Sequence, residues 1–296
     1  MSQFLQVLLS GLATGSIYAL AAIGFTLVWQ AAQTVNFAQG EFVMVPAFFV
    51  LVGLNFLGMP LPLALAFGLA LSVVVLGFLF KRLIVEPMQK GSKDGGGLPL
   101  IIATMALGLL LKENVKEFYG AEAQPFPDLF PQDTMNVFGA VVSVQDLLNL
   151  LVSLSVVVAL TLFLNRTRTG RCMQATAQNP QVAEILGVDT RRMVLYTFLI
   201  NAALATLASF LITPVYLAKF SNGETLGLIA FIAAIVGGFN QIRGALAGGL
   251  LIGVLDNLTA TYLTADYRAA LPLILLIVVI LVRPQGLLGT AEGRAV

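Results

Sequence analysis

The chain has no histidine and a single cysteine, Cys172. Without histidine, metal sites and proton relays built on imidazole are excluded. One cysteine cannot form a disulfide within the chain. Charged residues make up 10% of the 296 positions, whereas soluble domains contain roughly 25%. This scarcity of charge argues against a soluble enzyme and against a nucleic-acid-binding protein.

Motifs for nucleotide binding and catalysis are also missing. The glycine-rich stretch KGSKDGGG lacks the GxxxxGK[ST] arrangement that cradles phosphates. The apolar stretches hold no facing pair of carboxylates and no serine–lysine arrangement that would support catalysis. The sequence therefore predicts no enzyme activity, no cofactor and no metal site.

Hydrophobic residues are abundant: they make up 58% of the chain, and the mean hydropathy is +0.92. A helix of about 20 apolar residues crosses a bilayer, and such stretches fill nearly the whole sequence. We predict an all-α polytopic membrane protein, with one membrane domain over residues 1–296 and eight or nine hydrophobic segments. The segments are expected at about 4–29, 41–57, 61–84, 98–117, 144–164, 193–219, 225–241, 244–264 and 268–282.

Basic residues concentrate in alternate connections, as they do on the cytoplasmic side of membrane proteins. Residues 165–192 form an arginine-bearing polar loop that we predict to be cytoplasmic. Residues 118–143 carry acidic but no basic residues, which predicts an external loop. The same alternation predicts a cytoplasmic C-terminus. The other basic residues of the predicted cytoplasmic connections are Lys81, Arg82, Lys90, Lys93, Arg243, Arg283 and Arg294.

The connection before the second segment, residues 30–40, reads QAAQTVNFAQG. Asn36 followed by Gln39 resembles a helix N-cap with its capping-box partner, which predicts a helix start in an apolar region. A helix that begins inside the membrane directs N–H groups and a positive dipole end at its surroundings, and it would suit a carboxylate. The alternative is an ordinary capped helix at the membrane surface. If the second segment spans, the N-terminus is outside; if it is re-entrant, the N-terminus is inside.

Polar residues inside apolar segments are costly and therefore mark candidate functional positions. Glu41, Asn201 and Asp256 are of this kind. Asp256 could line an aqueous path, pair with a basic residue or stay protonated between helices. The charged end of the fourth segment, which includes Lys112 and Glu113, is predicted to be a solvated or snorkelling helix end.

Glycines are frequent, 28 in total, and form three GxxxG pairs: Gly11/Gly15, Gly244/Gly248 and Gly249/Gly253. This spacing lets helix backbones approach closely in lipid. We predict close helix packing. The alternative is that these glycines line a permeation path or hinge a gate.

A short helix is predicted within the 165–192 loop, at Pro180–Leu186. Asn179 suits the N-cap, Pro180 the first helical position, and Gly187 the left-handed position after the C-terminus. Val182, Ile185 and Leu186 fall on one side. This apolar face could pack on the protein's own loops, on the lipid surface or in a groove of a partner protein.

Four stretches together resemble one known family: RTRTGRCMQATAQNPQVAEILGVD (166–189), residues 11–44, GGFNQIRGALAGGLLIGVLDNL (237–258) and RPQGLLG (283–289). The first resembles the coupling loop of ABC importer permeases, in the version of the branched-chain amino acid family. The chain is similar to the shorter of that family's two permease subunits. Three residues depart from the family pattern. Cys172 and Gln174 stand where small and basic residues are expected, and Asp256 stands where glutamate is commoner.

The resemblance implies a permease domain that works with a second related permease, two cytosolic ATP-binding subunits and a periplasmic solute-binding protein. It implies a bacterial inner-membrane protein that does not itself hydrolyse ATP. Residues 165–192 would be the coupling loop. The expected ATPase-coupling residues are Arg171, Ala175, Asn179, Pro180, Val182, Ala183, Glu184, Ile185, Leu186 and Gly187. The expected substrate-pathway residues are Asn36, Gln39, Gly40, Glu41 and Asp256.

Two alternatives stay open at this point. Members of the same type carry other amino acids, amides or urea, and the sequence does not name the solute. A secondary transporter or channel would need its own coupling-ion or selectivity elements and would have no use for an exposed amphipathic helix in the cytoplasm.

Overall fold

The structure is a computed structural model that describes residues 2–33, 35–91, 97–130, 133–137, 140–264, 267–268 and 270–289. Helices dominate these residues, and one short hairpin of β-strands interrupts them. The helices are α1 Ser2–Ala32, α2 Gln39–Asn55, α3 Leu61–Ser72, α4 Glu86–Gly91, α5 Gly97–Tyr119, α6 Val144–Arg166, α7 Arg168–Gln178, α8 Pro180–Ile185, α9 Thr190–Tyr216, α10 Asn222–Gly237, α11 Ile242–Tyr262 and α12 Ala270–Val282.

Six helical stretches of the described residues are long and apolar enough to cross a membrane. α3 continues to Met88 through π-helical turns at Val73–Leu79 and Lys81–Val85, and this whole stretch is one of the six. Three further apolar helices, α2, α10 and α12, are shorter. The nine predicted segments overlap these nine helices. The prediction of an all-α polytopic membrane protein is confirmed.

α2 has 17 residues, which gives a length of roughly 25 Å, less than the bilayer core of about 30 Å. Thirteen of its residues are buried, including Phe42 and Val50. A helix that is buried on all sides needs no lipid-facing surface, so its burial is compatible with either topology. Whether α2 spans the membrane or re-enters it stays a prediction.

The external-loop prediction covers residues 118–143, in which the structure shows a feature that the sequence did not predict. Strands β1 (Thr134–Val137) and β2 (Ala140–Ser143) pair antiparallel, with Thr134 opposite Ser143. Residues 131–132 and 138–139 lie outside the described residues. The side of the membrane on which this loop lies stays a prediction.

The chain divides into two compact units, and the prediction of one membrane domain is not tested by this division. The first unit contains residues 1–26, 128–155 and 228–296. Here α1 and α11 pack backbone to backbone: a Cβ added to Gly15 would lie 2.9 Å from the carbonyl oxygen of Gly249. A Cβ added to Gly11 would lie 2.8 Å from the Cα of Val254. Close packing at these GxxxG pairs is confirmed.

The second unit contains residues 27–127 and 156–227. Its centre holds three aromatic rings in edge-to-face contact. The centroids of Phe42 and Phe80 are 5.0 Å apart, and those of Phe80 and Phe198 are 5.6 Å apart. Such pairs stabilise by about 0.5–1.5 kcal/mol beyond the area they bury. The rings link α2 and α9 to the π-helical stretch after α3.

Two of the predicted cytoplasmic basic residues, Lys93 and Arg294, lie outside the described residues. Lys81 is described, and its side chain is buried and paired with Glu86. The cytoplasmic placement of Lys81 stays a prediction.

We predict that Gly253→Ala lowers the thermal stability of the detergent-solubilised chain. The added Cβ would overlap the backbone of Gly15 and lie 2.6 Å from the carbonyl oxygen of Gly11, and such overpacking costs about 1–3 kcal/mol. The control is Gly97→Ala, because no residue that the structure describes lies within 4 Å of a Cβ at that position. The measurement is the midpoint of heat-induced loss of the monodisperse peak in size-exclusion chromatography. Equal midpoints for the two variants would contradict the packing role.

Candidate functional site

The helix predicted near Asn36 is present, but its cap differs from the prediction. α2 begins at Gln39, and its N-cap, Ala38, makes no side-chain cap hydrogen bond. The Asn36 Oδ1 accepts a hydrogen bond from the Ala38 N–H at 3.1 Å, which is a local side-chain turn and not an N-cap contact. The capping-box prediction for Asn36 and Gln39 is therefore wrong in its geometry, although the helix start is confirmed.

Gln39 does not cap the helix, because its side chain pairs with a residue far along the chain. Its Nε2 donates to the Asn201 Oδ1 at 2.9 Å, and the Asn201 Nδ2 donates to the Gln39 Oε1 at 3.0 Å. Both side chains are buried. This reciprocal amide pair satisfies polar groups for which lipid would offer no partner. Asn201 was noted in the sequence only as a polar residue within a segment.

A small cavity lies beside the start of α2. Its wall is mostly apolar, with Phe80 and Phe198 among its residues, and two polar side chains, Asn36 and Thr104, also line it. Its volume of about 10 Å³ suffices for one water molecule. The Phe37 N–H donates to the Thr104 Oγ1 at 3.2 Å, which ties the segment before α2 to α5.

Glu41 lies in the first turn of α2 and is 5% exposed. Its carboxylate lies against Gly223, in the first turn of α10. The Lys112 Nζ on α5 forms an ion pair with Glu224, the residue after Gly223. The Lys112 side chain is 17% exposed, so the solvated alternative does not describe this position, and the snorkelling alternative stays a prediction. Gly40 packs against the backbone of α10, since a Cβ there would lie 2.8 Å from the Cα of Gly227.

Asp256 belongs to the first compact unit and is buried. The Arg268 Nε donates to its Oδ1 at 2.9 Å, and the Arg268 Nη2 donates to its Oδ2 at 2.7 Å. The Tyr18 hydroxyl donates to the Oδ2 at 3.3 Å. Of the three roles that the sequence left open, pairing with a basic residue is the one that this geometry shows. Both carboxylate oxygens are engaged.

The 165–192 loop contains two helices, of which only the second was predicted. In α7, the Thr167 Oγ1 accepts from the Gly170 N–H at 2.9 Å as the N-cap. A Cβ at Gly170 would overlap the Phe163 carbonyl and the Leu164 Cα, so this glycine lets α7 pack directly on the end of α6. The glycine within RTRTGR was the signal for this turn. Arg171 is exposed and Ala175 half-buried on α7.

α8 spans Pro180–Ile185, within one residue of the predicted Pro180–Leu186. The Asn179 Oδ1 accepts from the Val182 N–H at 3.1 Å, and Pro180 occupies the first helical position. Gly187 has φ +83°, the left-handed conformation that favours glycine. Its N–H donates to Glu184 O, and the Val188 N–H donates to Ala183 O. These two bonds form a complete Schellman motif.

The predicted apolar face of α8 is exposed in this chain. Val182, Ile185 and Leu186 are 49%, 84% and 74% exposed. The opposite side is anchored: Ala183 is buried, and the Glu184 Oε1 accepts a hydrogen bond from the Thr190 hydroxyl at 2.6 Å. The chain's own described loops therefore do not cover the apolar face.

Comparison with known proteins agrees with this architecture. Residues 7–280 match the family model for the branched-chain amino acid transport system permease component. The chain is 33% identical to the high-affinity branched-chain amino acid transport system permease protein BraD of Pseudomonas aeruginosa, an alignment that covers 99% of this chain and 98% of BraD. It is 31% identical to the corresponding protein LivH of Escherichia coli K12, over 99% and 98% of the two chains.

A more distant relative is a probable branched-chain amino acid transport permease protein, LivH, of Methanocaldococcus jannaschii. It is 27% identical, over 93% of this chain and 89% of its own length. No solved structure matches the chain. The family match and the two full-length alignments above 30% identity establish that this chain belongs to the family of branched-chain amino acid transport system permease components.

Proposed function

We propose that the chain is the transmembrane permease subunit of an ATP-driven importer for branched-chain or related amino acids. It forms part of the translocation path and couples to two cytosolic ATPase subunits. A second related permease and a periplasmic solute-binding protein complete the transporter. The chain lies in the bacterial inner membrane with its C-terminus in the cytoplasm. Family membership, the names of the relatives and the six apolar helices support this proposal.

The observation that carries the coupling role is the uncovered apolar face of α8. A helix of six residues is unstable alone, since isolated helices need about 12–15 residues even in favourable sequences. α8 is held by the Asn179 cap, the Gly187 Schellman motif and the buried Ala183. None of these supports uses the side chain of Val182, Ile185 or Leu186. An apolar face that the described residues neither cover nor need for the fold of α8 suits a groove of a partner protein.

The proposed ATPase-coupling surface comprises this face and the residues that hold it. The full set is Arg171, Ala175, Asn179, Pro180, Val182, Ala183, Glu184, Ile185, Leu186 and Gly187. Ala183, Glu184 and Gly187 act within it as positioning residues, because their contacts are internal. Ile185 and Leu186 are the direct docking contacts.

The proposed substrate path passes the start of α2, at Asn36, Gln39, Gly40 and Glu41. Three of these carry buried polar side chains, in a chain whose buried surface is otherwise mostly apolar. Buried polar groups at membrane depth are expensive and mark substrate pathways in transporters. Asp256 stays a separate prediction, with its carboxylate bound by Arg268 in this state.

We predict that Ile185→Asp lowers ATPase association and ATP-dependent uptake at least ~10-fold, because a charge in a buried apolar contact costs more than about 1.4 kcal/mol. Ile185 is 84% exposed, so membrane insertion stays normal. The control is Gln181→Asp, which places the same charge on the same helix but outside the apolar face. The measurements are co-purification of the ATPase subunits and uptake. Native association of the Ile185 variant would refute the docking assignment.

For the path, we predict that Gln39→Leu and Asn201→Leu each reduce assembly, because each leaves a buried amide unpaired at a cost of about 1–3 kcal/mol. The double variant Gln39→Leu/Asn201→Leu removes both amides, and it is expected to restore assembly but not uptake. The measurements are the amount of chain in the membrane and the uptake rate. Native uptake by the double variant would show that the amide pair has only a structural role.

The function as a whole is tested by deleting the chain's gene in its own host. We expect loss of ATP-dependent uptake of leucine, isoleucine and valine, with recovery on re-expression. Uptake should persist when the proton and sodium gradients are both collapsed and ATP is maintained, and persistence would exclude a secondary transporter driven by either ion. Loss of amide or urea uptake alone would contradict the proposed substrate class while leaving the importer type intact.

A further inference from the structure

Glu41 is the carboxylate of α2 that the protein buries without completing its hydrogen bonds. Its Oε2 is fully buried and has no hydrogen-bond partner among the residues that the structure describes. The residue as a whole is 5% exposed. A buried carboxyl oxygen without a partner is costly, so a native protein keeps one where a ligand or a change of state uses it.

Glycines on two neighbouring helices make room for this carboxylate. A Cβ at Gly223 would lie 2.5 Å from the Glu41 Cδ, so no other residue could stand there without displacing the carboxylate. A Cβ at Gly108 on α5 would lie 3.6 Å from the Glu41 Cγ. The Glu41 side chain is therefore enclosed by α2, α5 and the first turn of α10, all within one compact unit.

The same junction holds one ammonium group and a second carboxylate. Lys112 is four residues after Gly108, so it lies on the same face of α5, one turn further along. Its Nζ is paired with Glu224, which follows Gly223. With both carboxylates ionised, Glu41, Glu224 and Lys112 carry one excess negative charge. The junction thus offers a free carboxylate oxygen beside a lysine whose partner, Glu224, is 63% exposed.

We propose that Glu41 and Lys112 recognise the zwitterionic backbone of the transported amino acid, with Glu41 receiving the α-ammonium group and Lys112 the α-carboxylate. This assignment rests on the proposed function and adds the chemical group that the path selects. The opposite charges of the two side chains match the opposite charges of the ligand. Neutral solutes such as amides and sugars carry no ammonium group for Glu41 and no carboxylate for Lys112.

The described structure is the closed state of this subsite. The backbone of α10 at Gly223 lies on the carboxylate, and Gly40 packs between Gly223 and Gly227. The positive end of the α10 dipole then faces Glu41 in place of a ligand ammonium. Movement of the first turn of α10 away from α2 would expose Glu41, and Lys112 would exchange Glu224 for the ligand carboxylate.

The test uses the complete transporter in host cells that carry Glu41→Gln or Lys112→Gln in place of the native chain. We expect each variant to lower the rate of radiolabelled L-leucine uptake at least ~10-fold, as loss of one partner from a buried charge pair does. Membrane abundance and the ATPase activity stimulated by the loaded solute-binding protein should stay at the native level. The control is Glu113→Gln, an exposed acid on α5 that pairs with Lys116.

The outcomes separate this inference from the proposed function. Native uptake by both variants overturns the zwitterion assignment alone. If uptake falls only in proportion to membrane abundance, Glu41 serves only in packing, and the zwitterion assignment is again overturned. If Glu41→Gln does not assemble, the uptake rate of Lys112→Gln decides between the assignment and its rejection. A parallel loss of stimulated ATPase activity overturns it in favour of a coupling role. Absence of leucine, isoleucine and valine uptake by the native chain defeats the proposed function, and this inference falls with it.

Discussion

Polar groups that this chain carries into the bilayer have to be satisfied by the protein itself, because hydrocarbon offers neither hydrogen bonds nor solvation. The structure meets this constraint with partners from distant parts of the sequence. Gln39 and Asn201 exchange two hydrogen bonds across 162 positions. Asp256 is bound by Arg268 and Tyr18. Where the pairing is incomplete, as at Glu41, the cost of the open position is itself the argument for a functional role.

Lipid also removes the hydrophobic reason for helices to associate, so close backbone packing has to supply the attraction. Gly15 against Gly249 shows this packing between two backbones. Gly40 against Gly223 uses the same close approach but presses a carboxylate between the helices. The first kind of crossing brings two backbones into direct contact. The second kind would couple helix separation to the exposure of the Glu41 carboxyl group, as the proposed substrate path requires.

Local signals in the sequence predicted the elements whose stability is local. The α8 helix was placed within one residue because Asn179, Pro180 and Gly187 act on their immediate neighbours. The same reasoning failed at Asn36. A capping box would use the side-chain amide of Gln39, and this amide pairs with Asn201 instead. The pairing of Lys112 with Glu224 could not be predicted from the sequence either, because it depends on how α5 and α10 pack. The β1–β2 hairpin follows an acidic, proline-rich stretch that gives no strand signal.

The connections of α8 within the second unit suit the proposed coupling role, because they would pass a displacement of α8 to the neighbouring helices. α7 begins two residues after α6 ends, and Gly170 holds it directly against the α6 backbone. On the other side, only the residues from Leu186 to Asp189 separate α8 from α9, and Asp189 caps α9 through the Arg192 N–H. Thr190, the first residue of α9, also bonds Glu184 of α8. These short, hydrogen-bonded connections allow little movement of α8 relative to α6 and α9. A partner that moved Ile185 and Leu186 would therefore move the ends of α6 and α9, and α9 carries the Asn201 amide that holds the start of α2.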